Sequence, residues 1–311
     1  MTGSYNRHVE TAAIVQGILA RLTPALAAPR ETYLPLSVGY RTVGWIDAAR
    51  VARLKAFSDV FDACDSGIAV AATLADSEAR TAALDRVART LAAEGRLSAW
   101  RDERYSVAES FDAPPLFLLE RAAARFFGIA TFAAHVNGLI RRDGEIRMWL
   151  ARRSPCKAID PGLLDNLVGG GIAAGTTVPM TVIKEAWEEA GIPGTLAARA
   201  ECAGAVQICR AQPEGLQRET ILVHDLWLDA DFIPANQDGE AVEHRQVTLA
   251  HAARLIANES GDDVVTADAS LVIVDCLLRQ GFIAPGSDDY RALDALRHAG
   301  QDPPGETPVA A

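Results

Sequence analysis

The 311-residue chain has no long apolar run. Its most apolar stretch, Ala267–Leu278, is short and carries Asp268 and Asp275, whereas a bilayer span needs about 20 mostly apolar residues. Membrane insertion is not expected. Basic residues are in deficit, with 30 Lys and Arg against 41 Asp and Glu and a net charge of −11. That balance argues against a nucleic-acid or anionic-membrane partner and leaves room for a divalent cation. The five cysteines (64, 156, 202, 209, 276) are scattered, with no CxxC pair. Neither a disulfide framework nor a zinc site is expected, and reduced thiols point to a cytoplasmic location. The N-terminus lacks a basic region followed by an apolar core, so no signal peptide is expected. G-x-S-x-G is absent, and no cysteine has an obvious histidine partner. The glycine-rich stretch Gly169–Gly175 lacks the Walker lysine and the G-x-G-x-x-G order, which excludes P-loop and dinucleotide-fold readings.

What is present is ordinary globular composition, 49% hydrophobic and 23% charged, at a length that suits about two domains. Residues 1–128 read as alternating helices and short strands, giving an N-terminal α+β domain. Helices are expected over Val9–Leu26, from an Asp47 N-cap to Phe57, over Ser77–Glu94 and over Leu116–Phe127, with strands around Tyr33–Trp45, Gly67–Ala72 and Trp100–Val107. From 129 to 285 the pattern changes. Asp143-Gly144 marks a hairpin within Thr131–Arg153. A helix is expected from Pro179 to Ala190, strands over Ala203–Arg210 and Glu219–Leu228, and helices over Leu249–Asn258 and Ala267–Arg279. Residues 286–311 read as a tail, partly disordered.

The chemistry concentrates between Gly170 and Ile192. Glu185, Glu188 and Glu189 stand at i, i+3 and i+4 and share one helix face, with Val182, Ile183, Ala186, Trp187 and Ala190 on the other. Three carboxylates so close repel one another, and oxygen ligands in this number suit Mg²⁺ or Mn²⁺. Taken alone, the triplet reads as a solvated acidic face. The glycine-rich loop before it and the Gly-Ile-Pro stop after it favour a metal site.

The stretch resembles the Nudix box, G-x5-E-x7-R-E-U-x-E-E-x-G-U with U aliphatic. Gly170, Glu185, Glu188, Glu189, Gly191 and Ile192 match in place, while Thr176 stands for the first Glu and Lys184 for the Arg. Their joint replacement reads as a swapped internal ion pair. The resemblance extends over roughly residues 30 to 280, through GWIDAARVARLKAF, LSAWRDERYSV, LLERAAARFFGI, HVNGLI, MWLARRSPCKAIDPGLLDNLVGGGIAAG and DFIPANQDGEAVE. It is similar to a Nudix subfamily with an extra N-terminal domain, related to the domain found beside thiamine pyrophosphokinase in fungi, with similar plant members.

The resemblance implies an α/β protein: a Nudix α/β/α sandwich with a mixed sheet, preceded by a smaller α+β domain. It implies a Mg²⁺-dependent enzyme (Mn²⁺ as an alternative) that cleaves thiamine diphosphate or its oxidised analogues to the monophosphate. The implied metal ligands are Glu185, Glu188, Glu189 and the Gly170 carbonyl. Glu188, Glu189 and Glu240 are the candidate catalytic groups; Glu240 reads equally as a turn residue after Asp238-Gly239. Arg152, Lys157, Asn166 and Asn137 are the candidate substrate-binding residues. Alternation puts Arg152 and Arg153 on opposite strand faces, so one of them faces the site. His135 and Trp149 read as core. The partner is a small-molecule diphosphate, and a homodimer is left open. Competing readings are a hydrolase of a nucleoside diphosphate derivative such as ADP-ribose and a non-catalytic diphosphate-binding module. A Nudix-fold isomerase lacks a supporting cysteine motif.

Overall fold

The computed structural model of the chain describes residues 2–27, 33–64, 67–258 and 260–300. In chain order the first part comprises α1 (Thr2–Ala25), β1 (Tyr33–Val38), β2 (Arg41–Asp47), α2 (Ala48–Leu54), β3 (Phe61–Cys64), β4 (Gly67–Val70), α3 (Ser77–Ala93), β5 (Arg104–Val107), β6 (Phe117–Glu120) and α4 (Ala124–Phe127). Asp47 and Asp76 cap α2 and α3 by accepting hydrogen bonds from the third residue on, which satisfies amides that the first helical turn leaves unpaired. Strands β1–β4 form a sheet in the order β2-β1-β4-β3, and β5 pairs with β6.

The helix expected over Leu116–Phe127 is not formed as one piece. Its first half is strand β6, paired antiparallel with β5 through Tyr105↔Leu119 and Val107↔Phe117. This pairing buries Phe117 and Leu119, and tertiary pairing overrides the helical propensity of the segment. Only Arg121–Phe127 turns helically, ending at Gly128.

The second part contains β7 (Ala130–Arg142), β8 (Glu145–Arg153), β9 (Leu164–Asn166), β10 (Val168–Gly171), α5 (Val178–Ala190), α6 (Gly194–Ala197), β11 (Glu201–Gln212), β12 (Gly215–Trp227), β13 (Ala241–Thr248), α7 (Leu249–Ile256), α8 (Ala267–Arg279) and α9 (Asp288–Arg297). The sheet runs β11-β12-β7-β8-β13, with β10 on β7 and β9 on β8. It is mixed, since β12 lies parallel to β7 while β8 and β10 are antiparallel to it. The Asp143-Gly144 turn joins β7 to β8 with both residues at positive φ, the geometry that hairpin twist demands.

Alternation along β7 sends Ala134, Val136 and Ile140 to a core under α5, and Ala133 and Leu139 to a core under α7 and α8. The α/β/α layering expected from the resemblance is observed. Helix α1 belongs to the second core: Val15, Ile18, Leu22 and Leu26 pack with the residues of α7 and α8. Residues 15–26 therefore serve the C-terminal sandwich, although they precede the N-terminal sheet in sequence. Asp288–Arg297, expected within a tail, forms α9, and Arg297 pairs with the fully buried Asp275 of α8. Residues 301–311 lie outside the described residues. No helix among the described residues is long and apolar enough to cross a membrane.

Two features of this fold position the site. The first half of β7 pairs with β10 (Gly170↔Ala134) and the second half with β8 (Leu139↔Met148), so the glycine strand enters where β8 leaves. The second is the seam at Gly128, where Trp45 N donates to Gly128 O at 3.2 Å. This bond fastens β2 to the start of the second sheet.

Candidate active site

Helix α5 begins at the Thr177 N-cap, has Pro179 in its first turn and ends at Gly191 in the left-handed conformation. Val182, Ala186 and Ala190 are buried against the sheet. Trp187, expected on that buried face, is 51% exposed; the apolar stripe needed under α5 is narrow and the small residues fill it.

The acidic face lies beside the glycine strand. A Cβ on Gly170 would meet Cγ and Cδ of Glu185 at 2.4 Å, so the absence of a side chain lets that carboxylate lie against the backbone. Glu189 accepts a hydrogen bond from Gly169 N at 2.8 Å. Burial raises the Glu185 carboxyl, against the opposing pull of Lys184. Burial raises Glu189 further, and Asp165 and Glu185 add to the shift while the Gly169 amide and Lys157 oppose it. Two enclosed carboxylates that resist ionisation form a donor set short of positive charge, which is what a divalent cation supplies.

The donor chemistry therefore fits Mg²⁺ or Mn²⁺ at Glu185 and Glu189. Among the described residues, however, no three acidic, histidine or cysteine side chains converge as a ready-made centre. Lys184 sits among the carboxylates: its ammonium donates to Glu185 at 2.9 Å and to Glu188 at 2.8 Å. The swapped ion pair expected for Thr176 and Lys184 is not formed. Thr176 Oγ1 instead donates to Ala173 O at 2.7 Å and lies 3.4 Å from Thr181 Oγ1.

The loop after β12 is laid across the C-terminal end of α5. Gln237 N donates to Glu188 O at 2.7 Å and Ala235 N to Ala190 O at 2.9 Å. Glu240, at the end of this loop, forms an ion pair with Lys157 and another with Arg101 at 3.2 Å. Burial works to raise its carboxyl, but the two cations outweigh burial and hold it below the ordinary range. Such a carboxylate accepts a proton poorly until one cation moves away.

The expected substrate-binding residues divide. Lys157 joins the site through Glu240. Arg152 does not: the register places it opposite Glu243, and it is held by Glu243 at 2.7 Å, Asp263 at 2.5 Å and the carbonyls of Gly162 and Asp262. The strand face that turns toward the glycines carries Arg153, paired with Asp165 at 2.7 Å. Asn137 and Asn166 are 1% and 2% exposed. Asn137 donates to Asp225 at 3.0 Å behind the sheet. Asn166 Oδ1 lies 2.8 Å from His135 Nδ1 and orients that ring, while its Nδ2 is buried with no hydrogen-bond partner among the described residues. Asp165, read from the sequence as a substrate contact or a loop-shaping residue, lines the cavity beside the glycine strand, and Tyr105 and Arg121 of the N-terminal region, to which sequence reasoning gave no role, line it too.

Residues 131–268 match the model described as "NUDIX domain", and residues 19–131 match "Domain of unknown function (DUF4743)". Nudix hydrolase 20, chloroplastic, of Arabidopsis thaliana is 37% identical over 270 residues, 84% of this chain and 71% of that protein. The chain belongs to the Nudix hydrolase family. Nudix hydrolase 24, chloroplastic, of the same plant is likewise 37% identical, over 267 residues, 85% of this chain and 72% of that protein. Half of the chain also overlays the NUDIX domain of Shewanella oneidensis NrtR complexed with ADP ribose, with 90% of that chain covered, 14% identity and a TM-score of 0.39. As a Nudix hydrolase the protein is an enzyme acting on diphosphate linkages. The cytoplasmic location expected from its thiols does not stand, because both plant relatives are named chloroplastic. Unpaired cysteines distinguish reducing from oxidising surroundings and do not choose among reducing compartments.

Proposed function

We propose that this Nudix hydrolase cleaves the diphosphate of thiamine diphosphate or its oxidised analogues, releasing the monophosphate. The observation that carries the diphosphatase reading is the pair of enclosed carboxylates, Glu185 and Glu189, lying against the side-chain-free strand Gly169–Gly171. The thiamine assignment is supported by the resemblance of the N-terminal region and box to the thiamine-associated subfamily. It is also supported by the mixed charge of the neighbouring cavity, which Arg121, Arg153, Asp160 and Asp268 all line. A substrate that joins a cationic ring to an anionic diphosphate suits walls of both signs.

Glu185, Glu189, Glu188 and the Gly170 carbonyl would hold Mg²⁺ or Mn²⁺. A bound divalent ion there supplies charge neutralisation at the phosphate oxygens and a more acidic water. The remaining groups act through the protein itself. Gly169 N fixes the Glu189 carboxylate, so its orientation is set before substrate arrives. Lys184 tethers Glu188 on the solvent side of the helix. Lys157 links the box to Glu240, and a phosphate that draws Lys157 away releases the Glu240 carboxylate as a proton acceptor.

The test follows hydrolysis products by chromatography with Mg²⁺: monophosphate and phosphate from thiamine diphosphate and its oxidised analogues, AMP and ribose 5-phosphate from ADP-ribose, and the nucleotide products of nucleoside triphosphates. Preferential turnover of the thiamine compounds is expected. Turnover of ADP-ribose alone would keep the chemistry and discard the substrate. No turnover with Mg²⁺ or Mn²⁺ would favour a binding module.

A further inference from the structure

Three separate segments meet at Glu240. Its backbone carbonyl accepts from Ser154 N at 2.8 Å, just after β8. One carboxylate oxygen pairs with Lys157 of the loop that follows, and the other with Nη1 of Arg101 at 3.2 Å. Arg101 comes from the N-terminal region, 139 residues earlier. Two cations thus share one carboxylate, and the cluster keeps a surplus of positive charge in a chain of net charge −11.

This cluster stands beside the acidic face of α5. Gln237 N, in the same loop as Glu240, donates to Glu188 O at 2.7 Å. His244 Nε2, at the start of β13, lies 3.0 Å from Glu189 O. Lys157 is close enough to Glu189 to oppose the rise of that carboxyl. Its ammonium is therefore within reach of both Glu240 and the candidate metal site. The Lys157 side chain is 14% exposed and that of Arg101 45%, so an anion arriving from solvent meets Arg101 first.

Arg101 is held in place by a tightly fixed turn. Ala99 and Asp102, on either side of Trp100-Arg101, have φ of 59° and 55°, a region that a residue with a Cβ seldom adopts. Arg101 N donates at 3.0 Å to the buried Glu120, and Trp100 Nε1 donates to Asp102 at 2.8 Å. Where the turn runs into β5, Arg104 O accepts from Ala174 N at 2.7 Å, which fastens it to the loop ahead of α5. That backbone bond already joins the two regions, and a half-exposed ion pair adds little to it. Among the described residues the Arg101 guanidinium makes one hydrogen bond, to Glu240, out of five N–H donors.

We propose that Arg101 is a substrate-binding residue: with Lys157 it receives a phosphate group of the diphosphate substrate, in the place that the Glu240 carboxylate holds in the free enzyme. The N-terminal region then supplies one wall of the substrate site. The proposal rests on the diphosphatase reading and adds to it the groups that bind the substrate's charge. A phosphate presents oxygens to the same two cations and carries more charge than a carboxylate, and a guanidinium fork suits it. Glu240 holds the two cations until the substrate displaces it.

The experiment titrates inorganic diphosphate into metal-free full-length protein by calorimetry. It also measures thermal midpoint, and KM and kcat with Mg²⁺ for the compound turned over fastest. The variants are Arg101→Gln, Arg101→Lys, Glu240→Gln and the double variant Arg101→Gln/Glu240→Gln. Arg101→Gln should weaken diphosphate binding and raise KM about tenfold, with kcat within about threefold of wild type and a midpoint close to it. Arg101→Lys, which keeps the charge and loses the fork, should recover part of the affinity. Glu240→Gln should tighten diphosphate binding about threefold or more, because the competitor is gone, and the double variant should lose that gain. A brace between the two regions predicts the same sign for both single variants, since each breaks the same ion pair: a lower midpoint with affinity unchanged or weaker. That result would overturn the proposal, as would failure of both wild type and Glu240→Gln to bind diphosphate. Unchanged affinity and KM in Arg101→Gln, with turnover intact in wild type, would overturn it and leave the diphosphatase reading standing. Opposite shifts in diphosphate affinity for Arg101→Gln and Glu240→Gln, without turnover of any compound by wild type, would keep the phosphate site and overturn the diphosphatase reading. If Arg101→Gln does not fold, Arg101→Lys and Glu240→Gln decide between the same outcomes.

Discussion

Glu189→Gln should make the protein more stable and far less active. The Glu189 carboxylate is enclosed, accepts one bond from Gly169 N at 2.8 Å and faces Asp165 and Glu185, with Lys157 as the opposing cation. An amide has the same shape and keeps an oxygen for the Gly169 N–H, so the local backbone is unchanged. What disappears is an incompletely compensated charge, and relieving such a charge is worth about 1–3 kcal/mol. For a chain of this size each kcal/mol moves the thermal midpoint by roughly 2–4 °C, so a rise of about 2–12 °C is expected in metal-free protein. The amide is a weaker ligand and carries no charge to offset a divalent cation, so turnover should fall by about 100-fold or more. Differential scanning calorimetry in chelator and phosphate release in Mg²⁺ read the two effects separately. A lower midpoint would refute the electrostatic account, and turnover within about tenfold of wild type would refute the metal assignment.

Three further outcomes follow from the geometry. Gly128→Ala should destabilise by about 3 kcal/mol or more, because Gly128 sits at φ 55° and a Cβ would lie 2.0 Å from the Trp45 carbonyl oxygen; a denaturant midpoint like that of wild type would show that the seam can move. Lys184→Gln should tighten Mn²⁺ binding roughly fivefold, since two half-exposed ion pairs together oppose the metal by about 1 kcal/mol; calorimetric titration giving equal or weaker affinity would remove Lys184 as a competitor. The contribution of His224 and His244 to stability should fall as pH drops below about 6.5, because burial lowers both in the folded state. The unfolded chain then binds protons first, and stability is lost from the unfolded pKa downward. The raised carboxyls of Glu185 and Glu189 pull the other way, so the histidine effect is read as a difference: from about pH 7 to 5 the urea midpoint of wild type should fall relative to that of His224→Asn, and parallel profiles would contradict the assignment.

The spacing of Glu185, Glu188, Glu189, Gly191 and Ile192 was enough to place the acidic helix and its stop, because helical periodicity is a local property. The cap at Asp47 is equally local, as is the Asp143-Gly144 hairpin. Partners distant in sequence were not legible. Leu116–Phe127 looks helical until β5 is beside it, and the choice between Arg152 and Arg153 depends on a register in which β13 shifts by one residue between Ala241 and Glu243. That shift sets Glu243 opposite Arg152 and leaves Arg153 for Asp165.

The sequence by itself therefore determined the family and the acidic helix, because each is written in consecutive residues with a short period; Gly169–Gly171, expected in a loop, became strand β10 only by pairing with β7. Only the tertiary structure decided that α1 serves the far core, that Lys184 sits among the carboxylates rather than with Thr176, and that Arg101, Tyr105 and Arg121 reach the second sheet. These depend on loop closure over tens to hundreds of residues. Burial and the balance of charge across a seam decide such contacts, and neither is a property of any one segment.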